Sequence, residues 1–398
     1  MVLHQSIGKL KTFNDINRAL SYIESKRTKR TLEQFKATVI KYGFNYQQKK
    51  MIHIAGTNGK GSTTNYLKEI LMAHGYQVGT FTSPYIICHN DRICINGQMI
   101  SDDELLSIIN ELIPIIEQEQ LSMFEIDTLI MLKYFNDNDL DFRIIETGIG
   151  GLNDKTNIID SYCSVITNIG YDHQFMLGNT LEEIARHKAG IIKKNQICYT
   201  TETNCKLIDI FKSQCQVCNS QLKPVKIDCD YSYPYHFTCL NHRYTLKNCA
   251  SYQVSNATLA INIANDLIAV DPKLIQQALN KAHWPGRFEK FGNIYLDGAH
   301  NIDGIKALIK TINDQKISDV LIVFSALKDK DIKLMKGLLA GFDLIEASFQ
   351  DERSTSRAPD FKIILKANQD KYQNIIVTGS LHFISAVRKY LLTSKNDN

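Results

Sequence analysis

A short apolar run, Met51 to Ala55, passes directly into Gly56-Thr57-Asn58-Gly59-Lys60-Gly61-Ser62 and then into a helical pattern, Thr63 to His74. Few folds accommodate a buried strand that turns through three glycines into a helix. The glycines let backbone N–H groups curl around an anion, and the helix N-terminus adds partial positive charge, so the unit is suited to phosphate. Lys60 is placed to reach the outer phosphates of a nucleotide, and the Ser62 hydroxyl to approach Mg²⁺. The spacing departs from G-x4-GK-[ST]: two residues separate the first two glycines, and Gly61 stands between Lys60 and Ser62.

The flanking sequence continues the same architecture. Gln77 to Thr82, Asp141 to Thr147 and Ser164 to Ile169 read as further strands separated by helical patterns, which predicts βαβ units and a mostly parallel sheet. Ser101 and Glu104 form a capping box ahead of Leu105, Ile108, Ile109, Leu112, Ile113 and Ile116, with a kink expected at Pro114. Thr180 to Glu183 opens another capped helix. From Asn195 to about Cys249, Tyr, Thr, Val, Ile and Cys mix with polar breaks, which predicts small antiparallel strands. Val254 to Ile268 reads as a helix, and Trp284-Pro285-Gly286-Arg287 as a joint. Beyond it, Asn293 to Leu296, Val320 to Phe324, Leu344 to Ala347 and Asn374 to Val377 read as strands alternating with helices. The expected fold is α/β. A P-loop-type, mostly parallel N-terminal domain (residues 1–290) carries a small antiparallel subregion, and a smaller Rossmann-like domain (291–398) follows.

Charge and hydropathy remove several function classes. The net charge is +4, from 46 Lys+Arg against 42 Asp+Glu, too small a surplus for a nucleic-acid binder. The one basic block, Lys26-Arg27-Thr28-Lys29-Arg30, reads as a solvated helix end. Met1 to Leu20 carries Lys9, Lys11, Asp15 and Arg18 without a continuous apolar core, and Val320 to Leu327 is far short of the ~20 residues that span a bilayer. A soluble, cytoplasmic monomer is expected. Ten cysteines without an export signal are expected as free thiols; Cys215 and Cys218 have the spacing of half a zinc site but no second close pair.

The chemistry-bearing residues fall at strand ends. Glu146 follows Ile144-Ile145 and precedes a glycine turn, the position of an acidic metal partner for a phosphate loop. Tyr171-Asp172-His173 follows the strand Ser164 to Ile169 and should emerge on the same sheet edge, where ligands collect. Asp297 and His300 occupy the matching strand end of the second domain, suited to a ribose or a phosphate, and Arg287 is placed to stabilise a γ-phosphate. Lys188, by chemistry alone, is an ordinary helix lysine.

These stretches, with Thr82-Ser83-Pro84, Arg92 to Gly97, Glu146 to Gly151, Asp154 to Asn157, Thr167 to His173, Lys188 to Ile191, Lys328 to Asp331 and Thr378 to Ser380, resemble the folylpolyglutamate synthase/dihydrofolate synthase family of the Mur ligase superfamily. They run in order over nearly the whole chain. The resemblance implies that Thr57, Asn58, Gly59, Lys60, Gly61 and Ser62 cradle ATP, and that Ser83, Glu146 and His173 hold Mg²⁺. It further implies that Lys188 is carbamylated, that Asn256 lies near adenine, and that Arg287 and Asp297 close on ATP with His300 nearby. The turn holding Asn153, Asp154 and Lys155 would face the pterin-bearing substrate. Three positions differ from the family pattern: Tyr85 replaces a frequent His, Leu152 a frequent Arg and His187 the usual Glu.

The implied reaction is ATP-dependent amide formation through an acyl phosphate, with L-glutamate as the amine. Lys60, Glu146, His173, Lys188 and His300 are the expected catalytic group. Polyglutamylation of (tetrahydro)folate is the expected activity. The alternatives are dihydrofolate synthesis from dihydropteroate, alone or in the same enzyme, and a catalytically silent nucleotide-binding regulator. A cell-wall Mur ligase shares the phosphate loop but lacks the matches at Lys328 to Asp331 and Thr378 to Ser380.

Overall fold

The computed structural model describes residues 12–351, 354 and 358–393; Lys9 and Lys11, invoked above against an export signal, lie outside them. Its largest element is an eight-stranded sheet: β1 (Met51–Ala55), β2 (Val78–Phe81), β3 (Ile93–Ile95), β4 (Gln98–Met99), β5 (Phe142–Glu146), β6 (Cys163–Ile166), β7 (Ile197–Thr200) and β8 (Gln221–Pro224). The spatial order is β4-β3-β2-β5-β1-β6-β7-β8, parallel from β2 to β8 with an antiparallel edge at β3 and β4. β1, β5 and β6 are buried along their whole length, as befits parallel strands covered by helices on both faces. One face packs against helices Lys60–Ala73 and Gln253–Leu267, the other against Asp102–Glu119 and Met123–Asn136. Both capping boxes form, at Ser101/Glu104 and at Thr180/Glu183, and helix Asp102–Glu119 runs through Pro114.

The expectation of antiparallel strands from Asn195 to Cys249 holds for only its second half. β9 (Asp228–Cys229), β10 (Tyr235–Cys239) and β11 (His242–Leu246) do form a small antiparallel sheet. The first half instead extends the main sheet as a parallel β7–helix–β8 unit through helix Cys205–Val217. The overlooked signal is Leu207, Phe211 and Cys215, four residues apart and all buried on one helix face behind the Asn204 cap. The basic block is not simply solvated either. Arg30 turns inward, with Nη1 3.6 Å from Glu125 and Nη2 3.7 Å from Glu119.

The second sheet contains β12 (Arg287–Phe291), β13 (Ile294–Asp297), β14 (Val320–Phe324), β15 (Asp343–Glu346) and β16 (Asn374–Thr378), in the order β12-β13-β16-β14-β15. All pairs are parallel except β12 with β13. β12 thus joins the C-terminal sheet although it starts before the division expected at residue 290. Among the described residues, no helix is long and apolar enough to cross a membrane.

Candidate active site

The carboxyl ends of β1, β5, β6 and β2 lie side by side, and each delivers a residue singled out in the sequence. β1 opens into the glycine loop, whose conformation no other residue type would permit at two points. Gly56 has φ +151°, and a Cβ there would lie 1.8 Å from Thr167 Oγ1; Gly59 has φ +87°, and a Cβ would lie 2.3 Å from Asn256 Oδ1. The loop is stitched to the segment leaving β6. Thr57 N donates to Asn168 O at 2.9 Å, Asn58 N to Asn168 Oδ1 at 2.9 Å, and Thr167 Oγ1 to Asn58 O at 2.6 Å. Thr57 Oγ1 both donates to Gly170 O and accepts from Gly170 N.

Around this loop the side chains converge. Lys60 Nζ lies 3.6 Å from Glu146 Oε1 at the end of β5, and Ser83 N donates to Glu146 Oε2 at 3.4 Å. Lys188, buried on helix Leu181–Ala189, donates to Gly56 O at 2.8 Å, the carbonyl that Lys60 Nζ also approaches at 3.3 Å. His173 follows β6 with a left-handed backbone (φ 48°), a conformation uncommon outside glycine. The C-terminal domain contributes Asp297, which accepts from Tyr252 OH at 2.6 Å and from Ala299 N at 3.0 Å. Arg287 Nη1 donates to Gly298 O at 3.4 Å, and His300 Nδ1 sits 2.8 Å from the same carbonyl. Beside the loop opens a cavity of about 610 Å³ lined by Ser62, Gln253, Trp284, Arg287, Phe288 and Tyr295, among others, a volume that suits a nucleotide-sized ligand.

Comparisons with known proteins identify the family. Residues 54–264 match the Mur ligase middle domain. The chain is 34% identical over 409 residues to the dihydrofolate synthase/folylpolyglutamate synthase of Bacillus subtilis strain 168, covering 90% of this chain and 94% of the relative. It is 32% identical over 394 residues to the folylpolyglutamate synthase of Lacticaseibacillus casei, covering 88% and 92%. This chain belongs to the folylpolyglutamate synthase/dihydrofolate synthase family. The crystal structure of the bifunctional family member from Yersinia pestis, complexed with AMPPNP and Mn ion, superposes with a TM-score of 0.84 at 27% identity over 95% of this chain and 98% of that one.

Electrostatics distinguishes the converging groups. Burial pushes the Glu146 carboxyl above its usual range, opposed by the Lys60 charge and the Ser83 N–H. Burial and the neighbouring Lys60 hold Lys188 down to about 7, and burial outweighs the Asp172 charge to hold His173 down to about 4. At neutral pH His173 is therefore an uncharged imidazole with a lone pair to offer. Ser83 Oγ is buried and has no hydrogen-bond partner among the described residues. An orphaned hydroxyl, a buried carboxylate and a neutral imidazole are the hard oxygen and nitrogen donors that a divalent cation takes, so the chemistry of these residues fits the metal their family implies.

Other expected residues sit differently. The Asp154 carboxylate is engaged within its own turn, by Ile149 N and Thr156 N and by the Thr156 hydroxyl. Lys155 Nζ binds Arg30 O at 2.5 Å and pairs with Glu125 at 3.4 Å; of the three expected substrate contacts, only Asn153 is exposed. Asn256 braces Gly59 and donates to Gln253 Oε1 at 2.9 Å, and Gln253 is the residue that lines the cavity. Sequence reasoning left Asp172, Asn301, Lys330 and Tyr252 without a role. Asp172 and Lys330 lay inside quoted motifs and Asn301 follows His300 directly, but their meeting depends on how the two domains pack.

Proposed function

We propose that the protein is an ATP-dependent ligase that adds L-glutamate to the carboxylate of (tetrahydro)folate through an acyl phosphate. The observation that carries this reading is the Lys60–Glu146 pair beside the orphaned Ser83 hydroxyl at the carboxyl edge of the sheet, where the Lys60 charge also acts on His173 in the segment after β6. The nucleotide base and ribose occupy the cavity between Gln253, Trp284 and Arg287, and the phosphates follow the loop from Ser62 back to Thr57. Ser83, Glu146 and His173 would hold Mg²⁺, which supplies charge neutralisation between the phosphates and the anionic acceptor.

The chain's own groups do the rest. Lys60 faces the outer phosphates and lowers the repulsion met by an attacking carboxylate. That carboxylate attacks the γ-phosphorus in line, the bond to the ADP oxygen breaks, and an acyl phosphate forms. The neutral amine of glutamate adds to the acyl carbonyl, the bond to phosphate breaks, and the amine releases its proton as the amide forms. Arg287, Asp297 and His300 reach this space from the second domain and help shut out water, which would otherwise consume the acyl phosphate. Lys188, held to about 7, has a substantial uncharged fraction near neutral pH. Its amine can attack CO₂ to give a carbamate and a proton, replacing a buried cation by an anion beside the phosphate loop.

The division between domains is placed at the turn before β12, and the protein acts as a cytoplasmic monomer in this reading. A second acceptor is favoured by one finding: the relative at 34% identity carries both names, dihydrofolate synthase and folylpolyglutamate synthase. ADP release is therefore measured with tetrahydrofolate and with dihydropteroate, each with and without L-glutamate. Glutamate-dependent ADP release with a glutamylated product is expected, and its abolition in Lys60→Ala and Glu146→Ala variants that keep the native melting profile. Full activity in both variants would sink the mechanism, and turnover with neither acceptor would sink the function.

A further inference from the structure

Asp172 is the meeting point of the two domains, and the mechanism above makes no use of it. Its Oδ1 accepts from Lys330 Nζ at 2.6 Å, and its Oδ2 lies 3.3 Å from both Asn301 Nδ2 and His300 Nε2. All three partners belong to the C-terminal domain. The Asp172 and Lys330 side chains are only 8% and 10% exposed, so the pair is shielded from solvent and salt. Asp329, 3.5 Å from Lys330 and 43% exposed, is the one other anion on the lysine among the described residues.

A second contact lies alongside. Asn58, in the middle of the glycine loop, and Asn301, the cap of helix Ile302–Asp314, exchange amide hydrogen bonds of 3.2 and 3.1 Å. Asn301 Oδ1 also caps the helix at Gly304 N. One side chain thus ties the C-terminal helix to the phosphate loop and to Asp172 together. On the N-terminal side both attachment points are catalytic-loop residues: Asn58 precedes Gly59-Lys60, and Asp172 precedes His173. The geometry can form only when both loops and the second domain are in register.

We propose that Asp172–Lys330 and Asn58–Asn301 form a clasp that holds the C-terminal domain over the glycine loop while the acyl phosphate exists, so that Lys330 and Asn301 are positioning residues for glutamate transfer. This inference rests on the ligase reading above. A nucleotide enters between the domains, so the clasp must part for ATP to bind and ADP to leave, and re-form for the chemistry. With the clasp broken, water reaches the intermediate. Water adds to the acyl carbonyl, the bond to phosphate breaks, and carboxylate, phosphate and a proton are released, so the net reaction is ATP hydrolysis with the acceptor regenerated.

The test measures ADP and glutamylated product together in the full-length enzyme with ATP, acceptor and L-glutamate. Wild type is expected to give about one ADP per glutamate joined, whereas Lys330→Ala gives about three or more, together with ADP release in the absence of glutamate. Lys330→Arg, which keeps the charge, restores the ratio, and Asn301→Ala shifts it in the same direction. A folded Lys330→Ala enzyme that keeps a ratio of one, even with reduced turnover, overturns the clasp. If Lys330→Ala does not fold, Lys330→Met and Asn301→Ala carry the same test, and a ratio of one in both overturns it.

A scattering measurement needs no turnover and so separates the two ideas. With AMPPNP and Mg²⁺, wild type is expected to be more compact than Lys330→Ala, and identical radii of gyration count against the clasp. Absence of any glutamylated product from wild type defeats the ligase reading, and leaves the scattering result to decide the clasp.

Discussion

Ser83 shows how a single side chain declares its purpose. A buried hydroxyl without a partner is unfavourable by about 1–3 kcal/mol relative to a satisfied one, yet Ser83 Oγ lies beside Glu146, whose Oε2 accepts from the Ser83 backbone instead. Removing the hydroxyl breaks no hydrogen bond among the described residues. Ser83→Ala is therefore expected to keep stability or raise it by up to about 1–3 kcal/mol. The Mg²⁺ concentration needed for half-maximal ADP release should rise about tenfold or more. A melting curve paired with a Mg²⁺ titration checks both halves, and an unchanged titration removes Ser83 from the metal site. The positions of Lys60, Glu146 and His173 were legible because each ends a strand or lies in the segment that leaves one. Asp154 and Lys155 were harder to place: a carboxylate or an ammonium at a turn looks the same in sequence whether it faces a substrate or ties down its own backbone.

At the scale of elements, the loop between β1 and helix Lys60–Ala73 depends on a neighbour distant in sequence. Gly59 caps that helix in a left-handed conformation, and Asn256 of helix Gln253–Leu267 fills the space a Cβ would need. Gly59→Ala is expected to destabilise the fold by about 1–3 kcal/mol from backbone strain alone, and the clash with Asn256 also displaces the loop. Thermal melting and nucleotide titration should show a lowered Tm and lost ATP binding; native affinity in that variant would contradict the cradle. The β7–helix–β8 unit teaches the converse. Ile197–Thr200 has a composition that serves a parallel or an antiparallel strand equally, and only its pairing with β6 decides. The period of Leu207, Phe211 and Cys215 was the local clue to the crossover that makes the pairing parallel.

For the whole molecule, a buried charge network behind the Ser83 loop couples stability to pH. His89 Nδ1 lies 3.0 Å from Glu24 and Nε2 2.9 Å from Asp127, so three segments of the N-terminal domain share one imidazolium. Burial opposes its charge, but the Asp127 charge and both hydrogen bonds prevail and raise it to about 9. A raised folded value means the contribution is complete below about 6.5, the unfolded value, and is lost as pH climbs through 9; its full size is about 3 kcal/mol. Lys188 and Lys193 are held low, at about 7 and about 8, and their slopes over that range have the opposite sign. The measurement is therefore the difference between wild type and His89→Gln in denaturant midpoints from pH 6 to 10. The gap is expected to shrink as pH rises, and a constant gap would refute the assignment.

The amino-acid sequence by itself determined what is local. It dictated the glycine turn between a buried strand and a helix, the capping boxes at Ser101 and Thr180, the run of chemistry-bearing residues at strand ends, and the family those motifs spell. Backbone conformation and side-chain period are properties of neighbours in the chain, so they can be read there. Tertiary structure alone decided which distant groups meet: Asn256 against Gly59, Tyr252 on Asp297, and Asp172 between Lys330, His300 and Asn301. These contacts join residues 45 or more positions apart. No local pattern encodes them, because the packing of distant elements, within a domain or between the two, brings them together.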